Sequence, residues 1–102
     1  MVKHIVMWNV KGSTPAERRD AALDIKQRFE RLQGVVPGLL RLEACLDISH
    51  VDYACVMVLY TEFDSEASLK AYATHPDHLV IRQELGDVRI ARYQVDYSVE
   101  AS

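Results

Sequence analysis

Three side chains capable of proton chemistry crowd into the stretch Leu69–Leu85, LKAYATHPDHLVIRQEL: Tyr72, His75 and His78. They stand on either side of Pro76, which lacks a backbone N–H and disfavours a helical residue before it. A helix carrying Tyr72 is therefore predicted to stop near Thr74, and a second to start at Pro76. His78 then lies in the first turn of the second helix. Ile81 and Leu85 follow it at the i+3 and i+7 spacing of one helical face, which turns the imidazole inward with the apolar stripe. Near the positive end of the helix dipole the charged imidazole is disfavoured, and a neutral, basic nitrogen is available close to pH 7. A tyrosine hydroxyl turned into the same space would polarise a carbonyl while the imidazole takes a proton from the adjoining carbon. The same spacing suits two half-buried residues whose polar tips are satisfied within the fold.

Such a pair needs a sheet to fold against, and the rest of the chain supplies one. Val2 to Lys11 alternates as a strand, with Val2, His4, Val6, Trp8 and Val10 on one face and Ile5 and Met7 making the other partly apolar. Thr14, Pro15 and Glu17 form a capping box that opens a helix running to about Gln33, with a core stripe of Ala22, Ile25, Phe29, Leu32 and Val36. Gly34 is a left-handed stop and Pro37-Gly38 a turn. Leu39 to Asp47 alternates again, with Leu40, Leu42, Ala44 and Leu46 on one side. After a polar loop, Ile48 to Asp52, the segment Tyr53 to Phe63 is apolar on both sides, as a mid-sheet strand is. Asp64 or Ser65 opens the helix bearing Ala67, Leu69 and Tyr72, and the helix from Pro76 ends at Gly86. Arg89 to Tyr97 forms the last strand, placing Ala91, Tyr93, Val95 and Tyr97 on one face, and Ser98 to Ser102 reads as a frayed tail.

The order strand, helix, strand, strand, helix, strand is the ferredoxin-like βαββαβ arrangement, an α+β fold with an antiparallel sheet in a single domain over residues 1–102. Helices cover one sheet face only. The second apolar face calls for the sheet of another copy, so a two-chain barrel is predicted.

A net charge of −3 without a basic stripe gives no footprint for nucleic acid or anionic lipid, and no run is long enough to cross a membrane. The opening MVKHIVMWNV alternates and lacks a cleavage site, so it reads as mature protein in the cytoplasm. Cys45 and Cys55 flank a hairpin and read as buried free thiols, with a cross-strand bridge as the alternative. His75 caps the second helix or faces the substrate space. It has no carboxylate or cysteine partners that would make a zinc site with His78, and no glycine-rich phosphate loop occurs, so neither metal nor cofactor is expected. His4, on a face with Val6 and Trp8, is either a satisfied core residue or a group aimed at His78.

Taken together, VKHIVMWNVK, VPGLLRLEACLD, YACVMVLYTEFDSEASLKAYATHPDHL and YQVDY resemble the stress-responsive dimeric α/β-barrel (Dabb) domains over Val2 to Tyr97. The most specific parts are Lys3-His4 and Tyr72…His75-Pro76-x-His78. The resemblance implies a homodimer whose two sheets close a barrel. It further implies the tyrosine–histidine pair used by polyketide cyclases of the olivetolic acid cyclase type, which close a linear thioester by aldol condensation. Tyr72 and His78 match that pair, His4 matches a first-strand histidine, and Leu59 and Phe63 match apolar pocket positions. Leu79-Val80-Ile81-Arg82 departs from the aromatic, glycine-rich segment of those cyclases, which implies a different pocket depth and substrate. The expected activity is binding of a small apolar carbonyl compound, with proton abstraction by His78, oxyanion stabilisation by Tyr72 and orientation by His4. The alternatives are a non-catalytic stress-related dimer and a cofactor-independent monooxygenase-like protein.

Overall fold

The chain is described by a computed structural model over residues 1–100. Its elements are β1 (Val2–Val10), α1 (Pro15–Glu30), β2 (Leu39–Leu46), β3 (Met57–Phe63), α2 (Glu66–Ala73), α3 (Pro76–Leu85) and β4 (Arg89–Ser98). The four strands form one antiparallel sheet in the order β2-β3-β1-β4, a ferredoxin-like fold whose second helix is divided at Pro76.

Local chemistry sets the helix ends. Thr14 Oγ1 accepts from the Glu17 N–H at 3.1 Å, and Glu17 Oε2 accepts from the Ser13 N–H at 2.7 Å, which satisfies two donors that a helix start leaves bare. α1 ends at Glu30 rather than near Gln33, because the Leu32 N–H turns back to Phe29 O in a tighter turn. Leu32 and Val36 are still buried beyond that point, so the apolar stripe outlasts the helix. Ser65 caps α2 and His75 caps α3.

The core lies between the helices and one sheet face, around Val6, Trp8, Ile25, Phe29, Leu59 and Phe63. Trp8 and Phe29 are fully buried with ring centroids 5.8 Å apart, and burial of a side chain such as Phe29 contributes about 1.5–3 kcal/mol. Arg28 in the last turn of α1 and Arg31 at its C-cap both reach Glu84 on α3, at 2.6 and 3.4 Å, which ties α3 to the end of α1.

Several sequence-based expectations are corrected. Leu40 does not join Leu42 and Ala44 on the inner face; a register shift between Leu39 and Arg41 breaks the period-two alternation and leaves Leu40 56% exposed. β3 begins at Met57, not Tyr53, and Tyr53 stands in solvent. Cys45 and Cys55 are free, but Cys45 is exposed on the outer side of β2 rather than buried. β4 runs through Ser98, and the Val99 N–H donates to Met1 O at 2.9 Å, so the expected frayed tail is tied down there; its last two positions, 101–102, lie outside the described residues.

A second irregularity governs the site. Between Met7 and Asn9 the β1–β4 register shifts, with Ala91 at φ 49°, so Arg89 faces Val10 and Ile90 faces Asn9, while Gln94 and Asp96 face Val6 and His4. On the helix side, β4 is consequently polar. Its other side carries Tyr93, Val95 and Tyr97, which join Met7 in an apolar face that is largely exposed.

Candidate functional site

A cavity of about 470 Å³ opens between the sheet and helices α2 and α3, within the range typical of small-molecule sites. β1 contributes His4, Val6 and Trp8, β3 contributes Leu59, α2 and α3 contribute Tyr72 and His78, and β4 closes the side.

Tyr72 sits in the last turn of α2 and is 2% exposed, while His78, in the first turn of α3, is 9% exposed. The break at Pro76 brings their rings into a stack, with centroids 4.2 Å apart and planes 24° from parallel. Stacked rings do not hydrogen-bond to one another. Neither the Tyr72 hydroxyl nor His78 Nδ1 has a partner, and Trp8 Nε1 is a third unpartnered polar atom on the same wall. Leaving a polar group buried and unpaired costs about 1–3 kcal/mol. All three atoms belong to residues that line the cavity, and buried polar groups without a partner are rare enough in folded proteins to single out this wall.

Burial also dictates protonation. It pushes the Tyr72 hydroxyl up to about 12, with Arg89, Arg92 and Arg82 pulling weakly the other way, so the phenol is a neutral donor. The same cause pushes His78 down to about 4, aided by Arg82 and Arg89 and opposed by the carbonyls of Ala73 and Tyr72 at the end of α2. The neutral imidazole expected from the sequence is thus present, with desolvation rather than the helix dipole as its main cause. In the Nε2–H tautomer the unpartnered Nδ1 carries the lone pair.

His4 is buried and meets the Tyr72 ring edge-on at 6.1 Å. Its Nδ1 lies 2.5 Å from Asp96 Oδ1, and Gln94 Nε2 donates to Asp96 Oδ2 at 3.0 Å. A carboxylate on one imidazole nitrogen fixes the ring and its tautomer and leaves Nε2 for other contacts. Leu59 lines the cavity, whereas Phe63 does not; it packs behind Tyr72 at 5.2 Å and holds that ring in place. His75 also stays off the cavity wall, because its Nδ1 accepts from the Asp77 N–H at 3.1 Å to cap α3. Sequence reasoning missed Asp96, Gln94, Arg82, Arg89 and Arg92. The signal was the polar half of β4, Arg92, Gln94, Asp96 and Ser98 at period two, a face that the strand's place beside β1 turns toward the helices.

The stress-responsive A/B barrel domain, Dabb, matches residues 2–99. A dimeric protein of unknown function and ferredoxin-like fold from Bacteroides fragilis superposes with a TM-score of 0.83 at 29% identity, covering 96% of this chain and 95% of that one. A hydroxynitrile lyase from Passiflora edulis does so with a TM-score of 0.79 at 16% identity over 99% and 94% of the two chains. A Dabb family protein from Mesorhizobium loti gives 0.69 at 21% identity over 98% and 97%. The last two likenesses are of fold. No protein of curated function matches the sequence.

Proposed function

Because the chain belongs to the stress-responsive A/B barrel domain family, we propose that its cavity binds a small carbonyl compound with an apolar body and that His78 and Tyr72 act on the carbon beside the carbonyl. The observation that carries this reading is the pair of unpartnered atoms, Tyr72 Oη and His78 Nδ1, buried on stacked rings in one cavity. The Tyr72 O–H donates to the carbonyl oxygen, and His78 takes a proton from the adjacent carbon. The C–H bond breaks, an N–H bond forms on the imidazole, and the electron pair moves to the oxygen that Tyr72 holds. An imidazolium is costly at this buried position, but the enolate that forms with it supplies the compensating charge. Where the substrate carries a second carbonyl within reach, the carbanion closes a ring onto it and His78 returns the proton to the new alkoxide. His4, set by Asp96, orients the ligand.

The protein acts as a homodimer in this reading. Supporting it are the exposed apolar sheet face of Met7, Tyr93, Val95 and Tyr97 and the dimeric state of the Bacteroides fragilis relative. The free thiols favour a reducing, cytoplasmic setting. Among the described residues no helix is long and apolar enough to cross a membrane.

The test is hydrogen–deuterium exchange at the α-carbon of an aryl methyl ketone, followed by NMR in D2O. Exchange should be accelerated by the protein and fall about 100-fold in His78→Gln and in Tyr72→Phe. Equal exchange in the folded variants and the wild type would remove the assignment.

A further inference from the structure

The cavity wall carries more positive charge than the fold can use. Lys70, Arg82, Arg89 and Arg92 line the cavity, against the carboxylates Glu66 and Asp96. Asp96 is taken up by His4 and Gln94, and Glu66 forms no ion pair among the described residues. Arg92 donates only to Gln94 Oε1, at 3.2 Å. Arg89 is the most telling. Its guanidinium carbon lies 5.1 Å from the Trp8 ring centroid and 5.6 Å from that of Phe29, and no carboxylate lies within ion-pair distance of it among the described residues.

A guanidinium half-withdrawn from water against two aromatic rings gains cation–π attraction, but its five N–H donors fit a planar anion better than a ring face. Burial lowers its proton affinity first, and repulsion from Arg92 and Arg82 adds to that, so the three charges oppose one another along the cavity wall. An arginine stays charged under such pressure, so what relieves it is an anion.

We propose that the cavity takes a carbonyl compound bearing a carboxylate, an oxo acid whose carboxylate is held by Arg89, with Arg92 and Arg82 beside it, while its carbonyl end faces Tyr72 and His78. The inference rests on the reading of the cavity as a carbonyl site and adds the other end of the ligand. Arg89 stands just below the register shift between Met7 and Asn9, and that shift aligns it with Val10 on the helix side. The bulge is thus what delivers a charge into the pocket.

The experiment compares 4-acetylbenzoate with its neutral methyl ester, which carry the same ketone. Binding is read by calorimetry and by quenching of Trp8, the chain's single tryptophan, which sits in the cavity wall. The acid should bind about tenfold or more tightly than the ester, with an advantage that shrinks as salt rises. In Arg89→Gln the advantage should fall to roughly twofold, and Arg89→Lys should keep part of it, since charge remains while the two-pronged fork is lost. Arg89→Gln should also melt at or above the wild-type temperature, since it removes an uncompensated charge; a thermal scan confirms that the variant is folded. Equal binding of acid and ester, a preference that survives Arg89→Gln, or binding of neither compound would overturn the proposal. Its failure is separable from that of the proton-abstraction reading. Exchange on the ester that depends on Tyr72 and His78, without preference for the acid, sinks only the anion site; acid binding that depends on Arg89, without exchange, sinks only the catalytic pair.

Discussion

The depressed proton affinity of His78 makes the stability of this protein fall in acid in a way that one substitution should abolish. In the unfolded chain the imidazole takes a proton near 6.5, whereas in the fold burial holds it at about 4. The folded protein therefore binds fewer protons in between. Stability is full above the unfolded value, declines as pH drops through 6.5 and stops declining below about 4. Taken whole, the shift corresponds to about 2 kcal/mol lost between about pH 8 and about pH 5, and water at the cavity mouth screens part of it, leaving roughly 1–2 kcal/mol. In a domain of this size that is a fall of roughly 5–15 °C in melting temperature. The assay is a thermal scan at fixed protein concentration, at both pH values, for wild type and His78→Gln. Every other side chain is the same in the two proteins, so their contributions cancel in the difference. The wild type should lose more than the variant by that margin. Equal losses would show that His78 is as easily protonated in the fold as outside it, and that the dry, neutral base does not exist.

Three further outcomes are expected. Tyr72→Phe deletes a buried hydroxyl without a partner, so the free protein should gain about 1 kcal/mol by urea unfolding even as its exchange activity falls; a loss of stability would mean that the hydroxyl is satisfied. Gly38→Ala should cost about 2 kcal/mol or more, because φ is +81° and the new Cβ would lie 2.2 Å from Ser68 Oγ. Gly34→Ala, at the same φ but with no neighbour within 4 Å, should cost only about 1 kcal/mol in the same urea series. Val95→Asp puts a charge in the middle of the exposed apolar face opposite Ile5, and sedimentation should show a dimer for the wild type and a monomer for the variant.

How much of this was legible in the letters depended on the range of the physics. The order of elements and the break at Pro76 follow from local rules: caps, turn residues and hydrophobic period. The Tyr72–His78 proximity followed too, because a proline break and an i, i+3, i+7 stripe are local statements. What failed was parity. One register shift at Leu39–Arg41 expelled Leu40, and another at Met7–Asn9 turned Arg89 inward; both depend on how two distant strands pair. His75 stayed open between two roles because a histidine before proline can cap a helix or face a ligand, and only the 3.1 Å contact with the Asp77 N–H decides for the cap. Phe63 fell one layer behind its expected place, since apolar character alone does not tell a cavity wall from its backing.

The parity of β4 also explains why the site and the dimer face should depend on one another. An edge strand in a single-layer sheet normally turns its apolar side to the core and its polar side to water. β4 does the reverse: Arg92, Gln94 and Asp96 look toward the helices, and Tyr93, Val95 and Tyr97 look out. With little apolar burial of its own, the strand is held by its ladder with β1 and by whatever covers its outer side. In the proposed dimer, the surface that buries Tyr93 and Val95 is therefore what keeps Asp96 against His4 and Arg89 over Trp8. A monomeric variant should lose ligand affinity before it loses its fold, although no substituted residue lines the cavity. Val95→Asp tests this directly, since its side chain points away from the pocket; unchanged affinity in a folded monomer would show that β1 alone holds the wall.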